Sequence, residues 1–285
     1  MHSPGSDRSP RTRARVARQR SPVIEPLTFA HALTPRPTPS GIDAITTLRH
    51  FAIVTYAIPP ERVRPIIHPQ FELECIELDG RPHALLSVVP FEDQDFRAAA
   101  FPSPRWRFGQ TNYRIYVRDR ATSERAVWFL GTTLGSQWVQ LPRHAWKLPW
   151  HHGRFAMDCA QEAAGRYVRY RMTTESAWAP ASLELVHEPA APLSFPGFPN
   201  EETALVVLTH PLAGYYTRRD GRLGTYSVWH DRLTPTAGRV RNARFGLLDR
   251  LGIVPFAEQA QAYSVLIQPQ TEFLVRLPPG LASRA

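Results

Sequence analysis

The sequence predicts a mainly β protein, a large antiparallel barrel or sandwich with a few peripheral helices. Three observations carry that expectation. Segments rich in β-branched and aromatic residues recur at short spacing from Ile45 onward. Asp79-Gly80 and Asp220-Gly221 each stand between two such segments, a strong hairpin signal. Helical periodicity is scarce, which argues against a doubly wound sheet.

Taken in order, Thr46–Ile58 mixes alternation with β-branched and aromatic residues and reads as a strand, stopped by Pro59-Pro60. Glu61–Ile67 has room for one or two helical turns before Pro69. Phe71–Leu78 and Pro82–Phe91 are the arms of the first hairpin. After a Pro-rich loop, Phe101–Trp106, the segments Phe108–Arg118 and Arg125–Leu134 form a second pair. Gln137–Lys147 is an apolar-rich connection with helical character, closed by Pro149. Arg154–Cys159 and Arg166–Thr174 pair around Gly165, Leu183–His187 is a short strand, and Glu201–Leu208 is a short helix. Tyr215–Arg219 and Gly224–His230 flank Asp220-Gly221. Thr236–Leu251 has the best helical pattern, with Val240, Ala243, Leu247, Leu248 and Leu251 on one face and Gly252 where a C′ cap belongs. Ala262–Ile267 and Glu272–Leu277 are closing strands.

Composition bounds the rest. Of the net charge of +9, residues 1–40 supply +5 through seven arginines against Asp7 and Glu25. This segment is rich in Pro, Ser and Arg and cannot bury enough apolar area to offset its ordering entropy, so it is expected to be a disordered tail, with residues 41–285 as one barrel domain. The body is only mildly basic, so nucleic acid is an expected partner only through that arm. An Arg-rich, acid-poor start also has the composition of an organellar transit peptide. With no apolar leader, no run long enough to span a bilayer, and Cys75 and Cys159 in no metal-like spacing, a reduced cytoplasmic protein without membrane attachment is expected. The chain has no GxGxxG, GxxxxGK[ST], GxSxG or HExxH, so neither a cofactor nor a metal site is expected. Assembly into a homo-oligomer stays open.

Four segments occur in a telling order: SVVPF (Ser87–Phe91), NYRIYV (Asn112–Val117), AVWFL (Ala126–Leu130) and YTRRDGRLGTYSVWH (Tyr216–His230). Together they resemble the uncharacterised domain-of-unknown-function 2071 (YqjF-like) family of the acetoacetate-decarboxylase-like superfamily, over roughly Thr46 to Leu277. The resemblance implies a large closed antiparallel barrel around a small-molecule cavity. In acetoacetate decarboxylases the imine-forming lysine directly follows a Gly-aromatic-Pro turn. The matching stretch here is Trp146-Lys147-Leu148-Pro149-Trp150, so Trp150 holds the lysine position and Lys147 lies three residues earlier.

Lys147 is the chain's single lysine beside 33 arginines. Lysine forms Schiff bases with carbonyl substrates when burial lowers its pKa. The bland reading is an accidental survivor of a bias toward arginine. If the segment is extended, an odd offset puts Lys147 on the face opposite Trp150, whereas a proline turn between them could redirect it inward. Gln110, Asn112, Arg114 and Tyr116 share one face of their strand by period two. An inward Arg114 could hold a carboxylate bidentately, with Asn112 and Gln110 beside it. The competing reading turns this polar face to water. Relatives often carry a glutamate where Gln110 stands, and an amide cannot act as a general base. His230 could donate a proton in the cavity or serve as a structural hydrogen-bonding histidine, and His50 has the same two readings. Glu92, Asp93 and Asp95 could divide acid and base roles, but their place after a strand favours a solvated loop. The tryptophans, among them Trp128, Trp138, Trp146 and Trp150, suit a pocket wall or plain core packing.

Three functions remain in view. The chain could be a decarboxylase-like lyase on a small carboxylic or oxo acid, with Arg114, Asn112, Gln110 and Trp150 binding the acid and Lys147 or His230 supplying chemistry. It could be a non-catalytic barrel that binds a small ligand. It could be an adaptor whose basic arm binds nucleic acid.

Overall fold

The computed structural model describes residues 24–137 and 140–282. A short helix, α1 (Phe29–Ala32), precedes the first strand, β1 (Ala44–Ile58). Two single 3₁₀ turns, Pro60–Arg62 and Arg64–Ile66, follow. Next come β2 (Phe71–Leu73), β3 (Cys75–Leu78), β4 (Arg81–Ala98), β5 (Phe101–Asp119) and β6 (Arg125–Leu134). Helix α2 (Gln140–Ala145) leads to β7 (Trp150–His152), β8 (Arg154–Gln161), β9 (Tyr167–Glu175) and β10 (Ala181–His187). Helix α3 (Glu201–Thr209) precedes β11 (Ala213–Thr217), β12 (Leu223–Trp229) and β13 (Thr236–Phe245). Helix α4 (Gly246–Arg250), β14 (Ser264–Val275) and β15 (Gly280–Leu281) complete the chain. The class is β, as the sequence predicts.

Both hairpin signals act as turns. Leu78 pairs directly with Arg81, and Asp79 and Gly80 take φ of 50° and 70°, the left-handed pair that a tight hairpin needs. Gly221, at φ 79°, turns β11 into β12.

Pairing runs β12–β11–β6–β5–β4–β1–β14. Strand β14 then meets β12 again through Val228↔Val275 and Trp229↔Leu274, so seven strands close into a ring. The expected antiparallel order is corrected at one wall, because β6 pairs with β11, and also with β7, in parallel. Parallel neighbours need a long crossover, and the stretch carrying β8 to β10 and α3 supplies it. From β14 the sheet continues through β13, β10, β9 and β8 as a wing. Two apolar clusters follow. Val54, Tyr56, Val88, Tyr113 and Ile115 from the outer face of the ring pack with Tyr170, Met172, Leu183, Leu185 and Val240 of the wing. Phe51, Val89, Phe91, Tyr116, Phe129 and Leu148 from the inner face pack with Leu205, Val206 and Leu208 of α3.

Two expectations need correction. Residues 236–251 are mostly strand, not helix. Leu185 pairs with Val240 while Glu184 pairs with Asn242, so Arg241 is an extra residue in a bulge. The bulge turns Val240 and Ala243, three apart, to one buried face and imitates helical spacing. Only Gly246–Arg250 is helical, and Gly252, at φ 65°, caps it as expected.

The second correction concerns the tail. Residues 1–23 lie outside the described residues, but 24–40 pack on the body. Ile24 and Phe29 are 4% and 2% exposed. The amides of Leu27 and Phe29 donate to Thr203 Oγ1 and Glu202 Oε1 of α3, Trp229 Nε1 donates to the Thr34 carbonyl, and Arg36 pairs with Glu272. A few apolar anchors and satisfied backbone groups outweigh an unpromising composition. Phe29→Ala is accordingly expected to cost about 3 kcal/mol of unfolding free energy in urea denaturation; a cost near zero would mean that this segment is not part of the folded core.

Candidate functional site

The ring encloses a cavity of about 480 Å³. Period two builds its walls. Val89, Phe91 and Asp93 line it from β4, and Gln110, Asn112 and Arg114 line it from β5. The odd-numbered neighbours Thr111, Tyr113 and Ile115 are buried on the outer face. Phe129, Leu148, Trp150, Tyr226, His230 and Phe273 add further lining. A β-bulge sits beside Arg114: Tyr113 faces Gly131 while Arg114 faces Phe129. Gly131, at φ 157°, leaves no room for a Cβ, which would lie 2.5 Å from the Trp178 ring.

Arg114 lies at the end of the cavity closed by α3. Its Nη2 donates to the Leu208 carbonyl (3.1 Å) and to Tyr116 Oη (3.3 Å). The guanidinium therefore meets the C-terminal carbonyls of α3, where the helix dipole is negative. Among the described residues no carboxylate pairs with it, and Nε and Nη1 make no hydrogen bond. Nη2 is committed to the fold, whereas Nε and Nη1, on opposite edges of the guanidinium, keep their donors.

His230 stacks on Phe273 (centroids 4.4 Å apart, 21°) and meets the edge of His210 at 4.8 Å. Its Nδ1 is 2.7 Å from the Asp231 carbonyl, which assigns the proton of the neutral ring to Nδ1. Burial pushes its pKa down to about 4, helped by His210 and Arg114 and opposed by the Asp231 and Thr209 carbonyls. At neutral pH it is an uncharged imidazole beside a guanidinium.

Asp93 is the residue that sequence reasoning placed in a solvated loop. Strand β4 continues past Phe91 to Ala98, and period two gives Asp93 the inward face of Val89 and Phe91. That alternation was the available signal. Asp93 is 3% exposed, its Oδ1 accepts from Thr46 Oγ1 (2.9 Å), and its Oδ2 has no partner among the described residues. Burial pushes its pKa up to about 7, with Glu92 adding to the rise and the Thr46 bond opposing it. Glu92 and Asp95 instead meet arginines, Glu92 with Arg107 and Asp95 with Arg97 and Arg105.

Trp146, Leu148 and Trp150 line the cavity, whereas Lys147 is not among its lining residues. It sits at φ 56°, and its carbonyl accepts from the Arg219 amide. Thus the structure gathers Arg114, Asn112, Gln110, Trp150 and His230 around one space and leaves Lys147 on the other side of its segment. Gln110 Nε2 and Thr132 Oγ1 both donate to Asn112 Oδ1, so the two amides are held in place. His50 lies outside this space, against Tyr167. His151 stacks on Trp178 at 4.0 Å. Trp128 belongs to the outer core, and Trp138 lies outside the described residues.

The family model of domain-of-unknown-function 2071, "uncharacterized conserved protein", matches residues 46–272. No curated protein matches the sequence. Among solved structures, the enduracididine biosynthesis enzyme MppR with HEPES bound is 15% identical, over 87% of this chain and 89% of that one, with a TM-score of 0.53. Acetoacetate decarboxylase from Legionella pneumophila is 13% identical over 91% and 98%, also at 0.53. MppR complexed with pyruvate is 14% identical over 90% and 98%, at 0.51. At these identities the likeness concerns the fold.

The two perturbed groups give a pH signature. Between about 4 and about 7 the unfolded chain has released the Asp93 proton while the folded chain keeps it, so this group makes stability fall as pH rises. His230 acts oppositely, making stability fall as pH drops from 6.5 toward about 4. Asp93→Asn isolates the first effect. Its stability relative to the unsubstituted protein should grow by up to about 1.4 kcal/mol per pH unit across that window and then level off, as urea melts at successive pH values would read; a difference constant with pH contradicts a buried, protonated Asp93.

Proposed function

Starting from a chain that belongs to the domain-of-unknown-function 2071 family and has an acetoacetate-decarboxylase-like fold, we propose that the protein binds a small carboxylic or oxo acid inside its ring. The observation that carries this reading is Arg114, a cation inside a largely apolar cavity with Nε and Nη1 unused and no carboxylate partner among the described residues. A carboxylate can accept a charge-assisted hydrogen bond from a free donor of this guanidinium, which fixes its position. The pyruvate complex of MppR, a fold relative, supports the same ligand class.

His230 adds acid–base capacity. A neutral imidazole beside the anchored acid can take up or deliver one proton, and the guanidinium stabilises negative charge that develops nearby. A lysine imine is not part of this reading, because Lys147 is absent from the cavity lining. Turnover distinguishes a lyase from a binding protein, and both use the same anchor.

Calorimetric titration with short carboxylic and 2-oxo acids tests the reading. Arg114→Leu should weaken binding by about tenfold to a hundredfold, the loss of a charge-assisted pair, while circular dichroism keeps its β signature. Arg114→Lys, which keeps the charge but loses the fork, should fall between. Equal affinity in all three proteins rejects the proposal. Borohydride treatment with these acids should leave Lys147 unmodified; a substrate-dependent adduct there would restore the imine mechanism.

A further inference from the structure

Among the buried polar groups that the proposed function leaves unused, Asp93 sits at the other end of the same cavity. Asp93 pairs with Phe108 across β4 and β5, and Arg114 lies six residues further along β5. At about 3.3 Å per residue the two backbones are about 20 Å apart. Helix α3 closes the Arg114 end. Trp106 and Leu141 both line the cavity and are exposed, so they mark the opening, near Asp93.

We propose that Asp93, held by Thr46, forms a second polar subsite that takes a hydroxyl or amino group at the far end of an elongated acid whose carboxylate rests on Arg114. The inference rests on the acid-binding reading and adds the shape of the ligand to it. A carboxyl kept for structure is expected to have both oxygens satisfied, because an unmet buried acceptor costs about 1–3 kcal/mol. Asp93 has one oxygen satisfied by Thr46 and the other bare. The neighbouring acid cannot substitute for it, since Glu92 is engaged by Arg107 and by Gln94. Much of the other lining near Asp93 is apolar, with Leu48, Phe96, Trp106 and Phe108. That oxygen is already cut off from water, so a ligand donor that reaches it would satisfy it where an alkyl end would not. Toward Arg114, the opposite wall offers Phe51, Phe273 and Val275 to an apolar body. Between these ends, the bond from Gln110 Nε2 to Asn112 Oδ1 takes one polar atom of each amide.

The raised proton affinity of Asp93 fits this role. A carboxyl that titrates near neutrality can donate to a hydroxyl when protonated and accept from a hydroxyl or an ammonium when ionised. Glu92, with its Arg107 partner, is the charged neighbour that modulates it.

The experiment compares plain alkanoates, from butanoate to hexadecanoate, with their ω-hydroxy and ω-amino counterparts by calorimetry at neutral pH. At the matching length the ω-group should tighten binding by about tenfold, the scale of one buried hydrogen bond. Asp93→Leu should abolish that gain and bind the plain acid as well as or better than before. Asp93→Asn, which keeps an acceptor oxygen but no charge, should retain part of the hydroxyl gain and lose the amino gain. No gain at any length, or a gain that survives in Asp93→Leu, overturns the subsite while acid binding stands. Failure of every acid to bind, or binding indifferent to Arg114, overturns the acid-binding reading and the subsite with it.

Discussion

A guanidinium inside an apolar ring needs a counterpart, and Arg114 finds one in the carbonyl end of α3. The Leu208 carbonyl accepts from both Arg114 Nη2 and Tyr116 Oη. Because Tyr116 donates there, the Ser87 hydroxyl at 2.8 Å must donate to Tyr116. Thr55, at 2.9 Å, must in turn donate to Ser87. This buried relay crosses β1, β4 and β5 and ends on the helix that closes the ring. It fixes α3 against the strands, satisfies polar groups that water cannot reach, and turns Arg114 into the floor of the cavity. In such a network each member is costly to remove, which is why the same arginine serves both the fold and the ligand.

The electrostatics above that floor are simple. Burial holds His230 neutral and keeps a proton on much of Asp93 near neutral pH. The guanidinium is then the dominant charge facing the cavity. In a low-dielectric space such a charge is worth more than it would be in water, and its sign selects anions. The apolar walls contribute affinity without direction. Orientation falls to Arg114 at the closed end and Asp93 near the opening.

Much of this was legible in the sequence where one period governs one strand. The alternation Gln110, Asn112, Arg114, Tyr116 is a strict period of two, and the structure turns all four inward. Trp146, Leu148 and Trp150 also line the cavity and Lys147 does not, although Lys147, at φ 56°, departs from the extended backbone on which the odd offset relied. The sequence misled where a bulge changed the period, so that Val240 and Ala243 imitated a helix. It misled again where polarity masked continuity. The acidic run after Phe91 resembled a loop, yet β4 continues and its inward position buries Asp93. Ring closure through β12 and β14, and the anchoring of residues 24–40 on α3, depend on long-range contacts to which local pattern is blind.

The central claim is that the uncommitted donors of Arg114 receive a carboxylate. A crystal structure of the protein soaked with a 2-oxo acid tests it most directly. The account predicts a carboxylate oxygen within hydrogen-bond distance of Arg114 Nη1, at the end closed by α3, with His230 beside the acid. An acid bound elsewhere, with Arg114 still joined only to Leu208 and Tyr116, would make the arginine a helix cap and nothing more.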